Sequence, residues 1–404
     1  MHKKLWNKDF ILLLQGSAVS TIGDLMYSVA IGYWVYEQTG SSGLMGIMSS
    51  ISMFVTMFLS PFCGSIVDKC NRKWVIVGID VIQGLLMLTM GVLAYCGTLN
   101  VPGVLIVAFL AALGSVFYSP AISTVMLDII PRDDMVRGQS VHSGILTLIN
   151  MVGTAFSGAM VAFFGVPLIV VINGVSNLYA AFSELLVHIP RTVRQGEQVT
   201  VKGILRDSGA AVKSIFSDSS LRLFVPCALI LNLLGAGPMS LTLPFCLEKG
   251  FTVDMYGYLG FVYMAGYLLC VVVLGAVKLK PEARFRVLAL GFSLSVPMFV
   301  LAYLSRQFVP MCILAFLASF LNAAGNTVFN ASLMLALPED NRSAILGFIQ
   351  SASVGGTALS TVAYGLLGDV FPLYLVFALG NAISLIPMLY MCFHPSTKEF
   401  ILKN

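Results

Sequence analysis

Long apolar runs alternate with short polar breaks along nearly the whole chain. As helices, these runs give spans at about 10–36, 43–67, 74–96, 101–127, 141–164 and 166–189, then at 221–247, 253–277, 285–304, 309–334, 344–366 and 371–393. Each is near the length with which a helix crosses the hydrocarbon core, about 20 residues. Helices are expected because lipid offers the backbone no hydrogen-bond partner, and a helix satisfies its own groups within one segment. The only long polar break runs from Pro190 to Leu221, midway along the chain. The expected fold is therefore all-α and membrane-embedded, with a six-helix bundle over residues 1–190, a linker over 191–220 and a second six-helix bundle over 221–404. Within the linker, Val201, Ile204, Leu205, Val212, Ile215 and Phe216 recur at helical spacing opposite Lys202, Arg206 and Lys213, the pattern of an amphipathic helix lying on a leaflet or of a solvated, frayed linker.

Composition agrees with the pattern. The 404 residues are 58% hydrophobic and 10% charged, with a mean hydropathy of +0.91, too little polar surface to cover a water-soluble globule of this size. The net charge of +4 could suggest an anionic partner such as nucleic acid, but the cations are not spread evenly. With twelve spans and both termini on one side, 21 of the 23 Lys and Arg fall in the same set of loops as the termini, and only Lys249 and Arg306 lie opposite. That asymmetry places both termini in the cytoplasm by the positive-inside rule and makes the charge a record of topology, with no nucleic acid implied. Lys3, Lys4 and Lys8 precede a run of full membrane length without a small-residue cleavage site, so the expectation is a retained first helix. The eight cysteines lie mostly in apolar stretches without paired spacing, so neither a metal site nor a disulfide framework is read from them.

The halves carry a trace of duplication. Leu127-Asp128-Ile129-Ile130-Pro131-Arg132-Asp133-Asp134, followed by Arg137, precedes the fifth span, and Leu335-Ala336-Leu337-Pro338-Glu339-Asp340-Asn341-Arg342 precedes the eleventh. Both run Pro, paired acids, Arg. The halves are therefore expected to be pseudo-symmetric.

Acidic residues inside apolar spans are costly and mark functional hypotheses. Asp24 lies near the middle of the first span, out of reach of any loop, and must be neutralised by a proton, a cation or a partner. It is the candidate for proton coupling; the alternative is a packing aspartate held by hydrogen bonds from neighbouring side chains. For Asp80, two turns inside the third span, the expectation is contact with the snorkelling cations Arg72 and Lys73. For Glu184 it is an i, i+4 pair with His188, with a proton-exit role as the alternative. Uncharged polar residues mark a candidate substrate cavity: Gln15, Tyr27 and Trp34 in span one, Ser115, Tyr118 and Ser119 in span four, Asn232 before the broken Gly235-Ala236-Gly237-Pro238 segment of span seven, and the stripe Asn322, Asn326 and Asn330 in span ten. Interhelical hydrogen bonding competes as an explanation for these groups.

The turn between spans two and three reads Gly64-Ser65-Ile66-Val67-Asp68-Lys69-Cys70-Asn71-Arg72-Lys73. It resembles the G-x-x-x-D-R-x-G-R-R/K signature of the major facilitator superfamily, with Gly64, Asp68, Arg72 and Lys73 matching and Lys69 and Asn71 replacing Arg and Gly. The resemblance implies two pseudo-symmetric six-helix bundles, a cavity lined by spans one, four, seven and ten, and a conformational gate in which Asp68 and Arg72 cluster with Asp128. Gln15-Gly16-Ser17 through Gly23-Asp24, then Thr39-Gly40-Ser41, is similar to the branch that holds macrolide-efflux, siderophore-export and lysophospholipid-transport proteins. Span four lacks the basic residue, and span five the proline, of the drug/proton antiporters within that superfamily.

Together these readings lead to an expected secondary transporter of the inner membrane, exporting an amphipathic small molecule by alternating access and driven by the proton gradient without a cofactor. It is expected to work as a monomer, with the lipid bilayer and its substrate as partners. A lipid or lysophospholipid flippase without proton coupling, or a non-transporting sensor with a transporter fold, are the alternatives. No nucleophile–base pair, metal cluster or phosphate loop suggests an enzyme.

Overall fold

A computed structural model describes residues 5–131, 134–188, 209, 212–213, 215–217, 221–276, 281–336 and 342–393. The helices are α1 (Lys8–Thr39), α2 (Ser42–Lys69), α3 (Arg72–Tyr95), α4 (Val101–Ile129), α5 (Met135–Leu185), α6 (Leu221–Ser240), α7 (Thr242–Glu248), α8 (Val253–Ala276), α9 (Pro281–Leu304), α10 (Phe308–Ala336), α11 (Arg342–Gly368) and α12 (Leu373–Phe393). Among the described residues, nine helices are long and apolar enough to span a membrane, or ten if the bent pair α6 and α7 is one span.

One of the expected spans differs in detail. Spans five and six are the two helical arms of α5, which meet at a kink where Gly165 adopts φ 73°, ψ 161°, the position the sequence places between them. A left-handed backbone favours glycine, which has no Cβ to clash, and Pro167 helps restart the helix beyond the bend. Span seven breaks later than the Gly235-Ala236-Gly237-Pro238 stretch suggests: that segment stays helical, and the 53° bend falls between Ser240 and Thr242. A helix tolerates Pro238 where other bonds satisfy the freed backbone groups, and here the Leu234 carbonyl, which loses its donor at Pro238, accepts from the Tyr364 hydroxyl.

The chain falls into two compact units, one of Met1–Gly40 with Ile51–Thr200, the other of Ser41–Ser50 with Val201–Asn404. In the first unit, α1 and α3 pack on α5, and α3 also packs on α4. The helix ends are tied together at one end of this bundle. Asn7 caps α1 by accepting from the Phe10 amide at 2.8 Å while its Nδ2 donates to the Ile129 carbonyl at 3.0 Å, and Lys73 Nζ donates to the Val187 carbonyl at 2.9 Å. Phe10, Leu13, Ile76, Met126 and Ile129 form the apolar core there.

In the second unit, α9 packs on α10 and α12, α8 on α10, and α6 on α11 and α12. Carboxylates hold two helix starts. Asp369 accepts from the Ser41 hydroxyl at 2.8 Å and the Gly43 amide at 3.0 Å, and Glu248 accepts from the Leu373 amide at 2.9 Å, a placement the helix dipole favours. Much of the linker lies outside the described residues, as do residues 337–341 of the second acidic repeat. Of the linker's apolar stripe, Ile215 is buried against Val225, Leu288 and Phe329, so this residue faces protein and not a leaflet, while Phe216 is exposed.

Candidate functional site

The first unit contains a polar core built on α1, α3, α4 and α5. Gly23 is what allows α1 and α5 to approach: a Cβ on it would lie 2.1 Å from Ser176 Oγ and 2.7 Å from Asn173 Oδ1. That contact sets the next residue, Asp24, beside the amide side chains of Asn177 and Asn173. Asp24 itself is exposed, whereas Asn173 and Asn177 are buried. The two amides are fixed by each other, with Asn177 Nδ2 donating to Asn173 Oδ1 at 2.9 Å. Tyr27, one turn along α1, places a buried hydroxyl near Asp24 that has no hydrogen-bond partner among the described residues.

A second group of carboxyls lies nearer the end of the bundle that carries Arg72 and Lys73. Tyr118 of α4 donates its hydroxyl hydrogen to Glu184 Oε1 at 2.6 Å. Glu184 is fully buried, and Asp80 on α3 is 3% exposed. The charges that act on Asp80 are those of Glu184 and then Asp24. Gln15 completes the wall, donating to Ser183 Oγ at 3.2 Å, while Ser183 in turn donates to the Leu12 carbonyl.

This arrangement changes the partners expected for two acids. Glu184 bonds Tyr118 across helices, not His188 along its own, because the backbone amide of His188 turns to Asp9 at 2.9 Å where α5 ends. Asp80 does not meet the two cations, since Arg72 is held by Asp128 at 2.7 Å and Lys73 by the Val187 carbonyl. The Arg72–Asp128 pair is buried, with side-chain exposures of 2% and 9%. The surroundings of Gly64 and Asp68 lie outside the described residues.

Of the other cavity candidates, Trp34 is half-buried and Ser119 exposed. Ser115 is engaged by Gln83 Nε2 at 3.3 Å. In the second unit, Asn326 Nδ2 donates to Asn322 Oδ1 at 2.8 Å, Asn330 is exposed, and Asn232 Nδ2 reaches Ser353 Oγ at 3.4 Å. These bonds absorb part of the stripe's polarity. Among the described residues no group of three His, Cys, Asp or Glu is placed to hold a metal ion.

The sequence profile of the Major Facilitator Superfamily matches residues 13–253 and 225–400. The chain belongs to this superfamily. Within it, the chain is 24% identical over 186 residues to macrolide efflux protein A of Streptococcus pyogenes, a stretch that covers 46% of each chain. It is 29% identical over 160 residues to the multidrug efflux pump Tap of Mycobacterium tuberculosis, covering 38% of each. The chain thus spans less than half the length of the curated relatives it matches. Solved structures of the same fold include a bacterial homologue of the iron transporter ferroportin in an inward-facing state, with TM-score 0.72, 15% identity and coverage of 95% of this chain and 98% of that one. A bacterial homologue of the human lysosomal transporter Spinster superposes with TM-score 0.69 at 13% identity, covering 98% and 95%. The protein is a multi-pass membrane protein of the major facilitator superfamily.

Asn173, Asn177 and Ser183 are the residues that sequence reasoning left out of the site, and for Glu184 it preferred a pair with His188. Their spacing carried a signal: from Asn173, one turn leads to Asn177 and two more to Glu184, so all three share a face of an otherwise apolar helix.

Proposed function

We propose that the protein is a proton-coupled exporter that moves an amphipathic small molecule out of the cell by alternating access. The observation that carries this reading is Asp24, an exposed carboxyl within a membrane span whose neighbours are the neutral amides of Asn173 and Asn177. Amides can donate to the carboxylate and accept from the carboxylic acid, so the same walls accept both states and neither is locked. A cation beside it would hold the charged form. Export agrees with the efflux proteins among the relatives. An amphipathic substrate, neutral or cationic, suits cavity candidates that are polar but carry no Lys or Arg. The excess of Lys and Arg supports cytoplasmic termini, and Arg72 with Asp128 would stabilise closure on that side. The gradient supplies the energy, so no cofactor is required.

The test is substrate-dependent proton flux in liposomes with an imposed pH gradient and an interior pH dye, screened over amphipathic compounds. Flux is expected in the wild type and lost in Asp24→Asn, with insertion preserved. Undiminished pH-driven transport by that variant would overturn the coupling, and movement of labelled lipid indifferent to the gradient would replace it with a flippase.

A further inference from the structure

The first unit contains more buried acid than a single coupling residue requires. Asp80 Oδ2 and Glu184 Oε2 have no hydrogen-bond partner among the described residues, although their side chains are 3% and 0% exposed. Two carboxylates in that condition would each cost several kcal/mol by the usual magnitude for uncompensated buried charge. Each element that packs around them contributes an acid or a neutral group: Asp24 from α1, Tyr118 from α4 and Glu184 from α5. The nearby cations are engaged elsewhere, Arg72 by Asp128 and Lys73 by a carbonyl. A separate observation points into the same gap. Ser17 Oγ, on a residue 4% exposed, is near the Tyr118 hydroxyl and, like the two carboxyl oxygens, has no hydrogen-bond partner among the described residues.

We propose that Asp80, Glu184 and Tyr118 form a second proton-binding station, which takes a proton from Asp24 and returns it toward the end of the bundle that carries Arg72 and Lys73. In each transfer one carboxylic acid gives up its proton and one carboxylate receives it, so the summed charge of donor and acceptor is conserved. Tyr118 keeps its own hydrogen and positions Glu184. The placement suits a route along the bundle, since Asp80 lies eight residues into α3 and Asp24 sixteen past Lys8 in α1, or about 12 and 24 Å from that end at 1.5 Å per residue. This station rests on the proton-coupled reading above, but it can be tested without substrate.

The experiment is infrared spectroscopy of the full-length protein in liposomes at neutral pH, reading the carbonyl band of protonated carboxyl groups. A band is expected that Asp24→Asn retains, that Asp80→Asn combined with Glu184→Gln removes, and that Tyr118→Phe shifts in frequency because the hydrogen bond is gone. On transfer to deuterated buffer, the band should shift roughly tenfold more slowly in Asp24→Asn, a modest share of what a positioned proton carrier contributes. If the double variant does not fold, Tyr118→Phe keeps both carboxyls and the frequency shift decides alone. A wild-type band untouched by these substitutions, or no band, overturns the station. An equal exchange rate in Asp24→Asn overturns the link to Asp24. A normal band in a protein without substrate-driven flux keeps the station and sinks coupled export.

Discussion

The hydroxyl of Tyr118 donates to Glu184 Oε1 at 2.6 Å, joining α4 to the second arm of α5 inside a membrane-embedded bundle. A hydrogen bond to a charged or charge-sharing group contributes about 1.5–3 kcal/mol, more than a neutral pair. Tyr118→Phe should therefore lower the thermal midpoint of the detergent-solubilised protein. Adding Glu184→Gln to it should cost less than the two single losses summed, because both remove the same bond.

Gly23 predicts a steric effect that the acids do not. In Gly23→Ala the new methyl meets Ser176 Oγ, and overpacking of this kind costs about 1–3 kcal/mol. Ser176→Ala in the same chain removes the nearest atom and should restore part of the thermal midpoint. No rescue would mean that α1 and α5 are held apart by something else.

Arg72 and Asp128 form a buried pair, and leaving Asp128 without Arg72 is expected to cost about 3–5 kcal/mol. Arg72→Ala should reduce the yield of folded protein more than Arg72→Ala combined with Asp128→Ala does. Thermal denaturation of the two variants distinguishes a structural pair from a loose surface contact, for which both would match the wild type.

Lys249 lies in the turn after α7, where its ammonium donates to the carbonyls of Tyr303 and Ser305 and sits 4.9 Å over the Phe245 ring. Partial burial lowers its pKa from 10.5. The unfolded chain therefore holds this proton to higher pH than the folded chain, and between the two values stability rises with pH. The wild type should gain thermal midpoint relative to Lys249→Met as pH climbs toward 10.5. A constant difference between the two proteins across that range would show that the amine does not titrate differently on folding.

The architecture was legible because lipid enforces it: twelve apolar runs, a central polar break and one-sided cations have few solutions. Asp24 was legible for the same reason, as a charge where none is affordable. The partners were not. Glu184 has a histidine one turn away in sequence, and nothing local announces that Tyr118, 66 residues earlier, competes for it and wins. Asp80 likewise stands on the same helix as two cations that are taken by Asp128 and Val187. The bends followed local chemistry incompletely: Gly165 marks its own, whereas the carbonyl that Pro238 leaves open is satisfied by Tyr364, from a helix more than a hundred residues on.

The amide wall around Asp24 also has a consequence for biogenesis. Asn173 and Asn177 are synthesised roughly 150 residues after Asp24, so α1 must leave the ribosome and meet the bilayer before its partners exist. An aspartate at a helix centre adds about 2.5–3.5 kcal/mol to the apparent cost of insertion, a burden that α1 carries alone until the second arm of α5 docks. Nascent chains ending before Asn173 should therefore retain α1 in the bilayer less firmly than chains that extend past Glu184, and an insertase or chaperone that shelters the first helix would matter most during that interval.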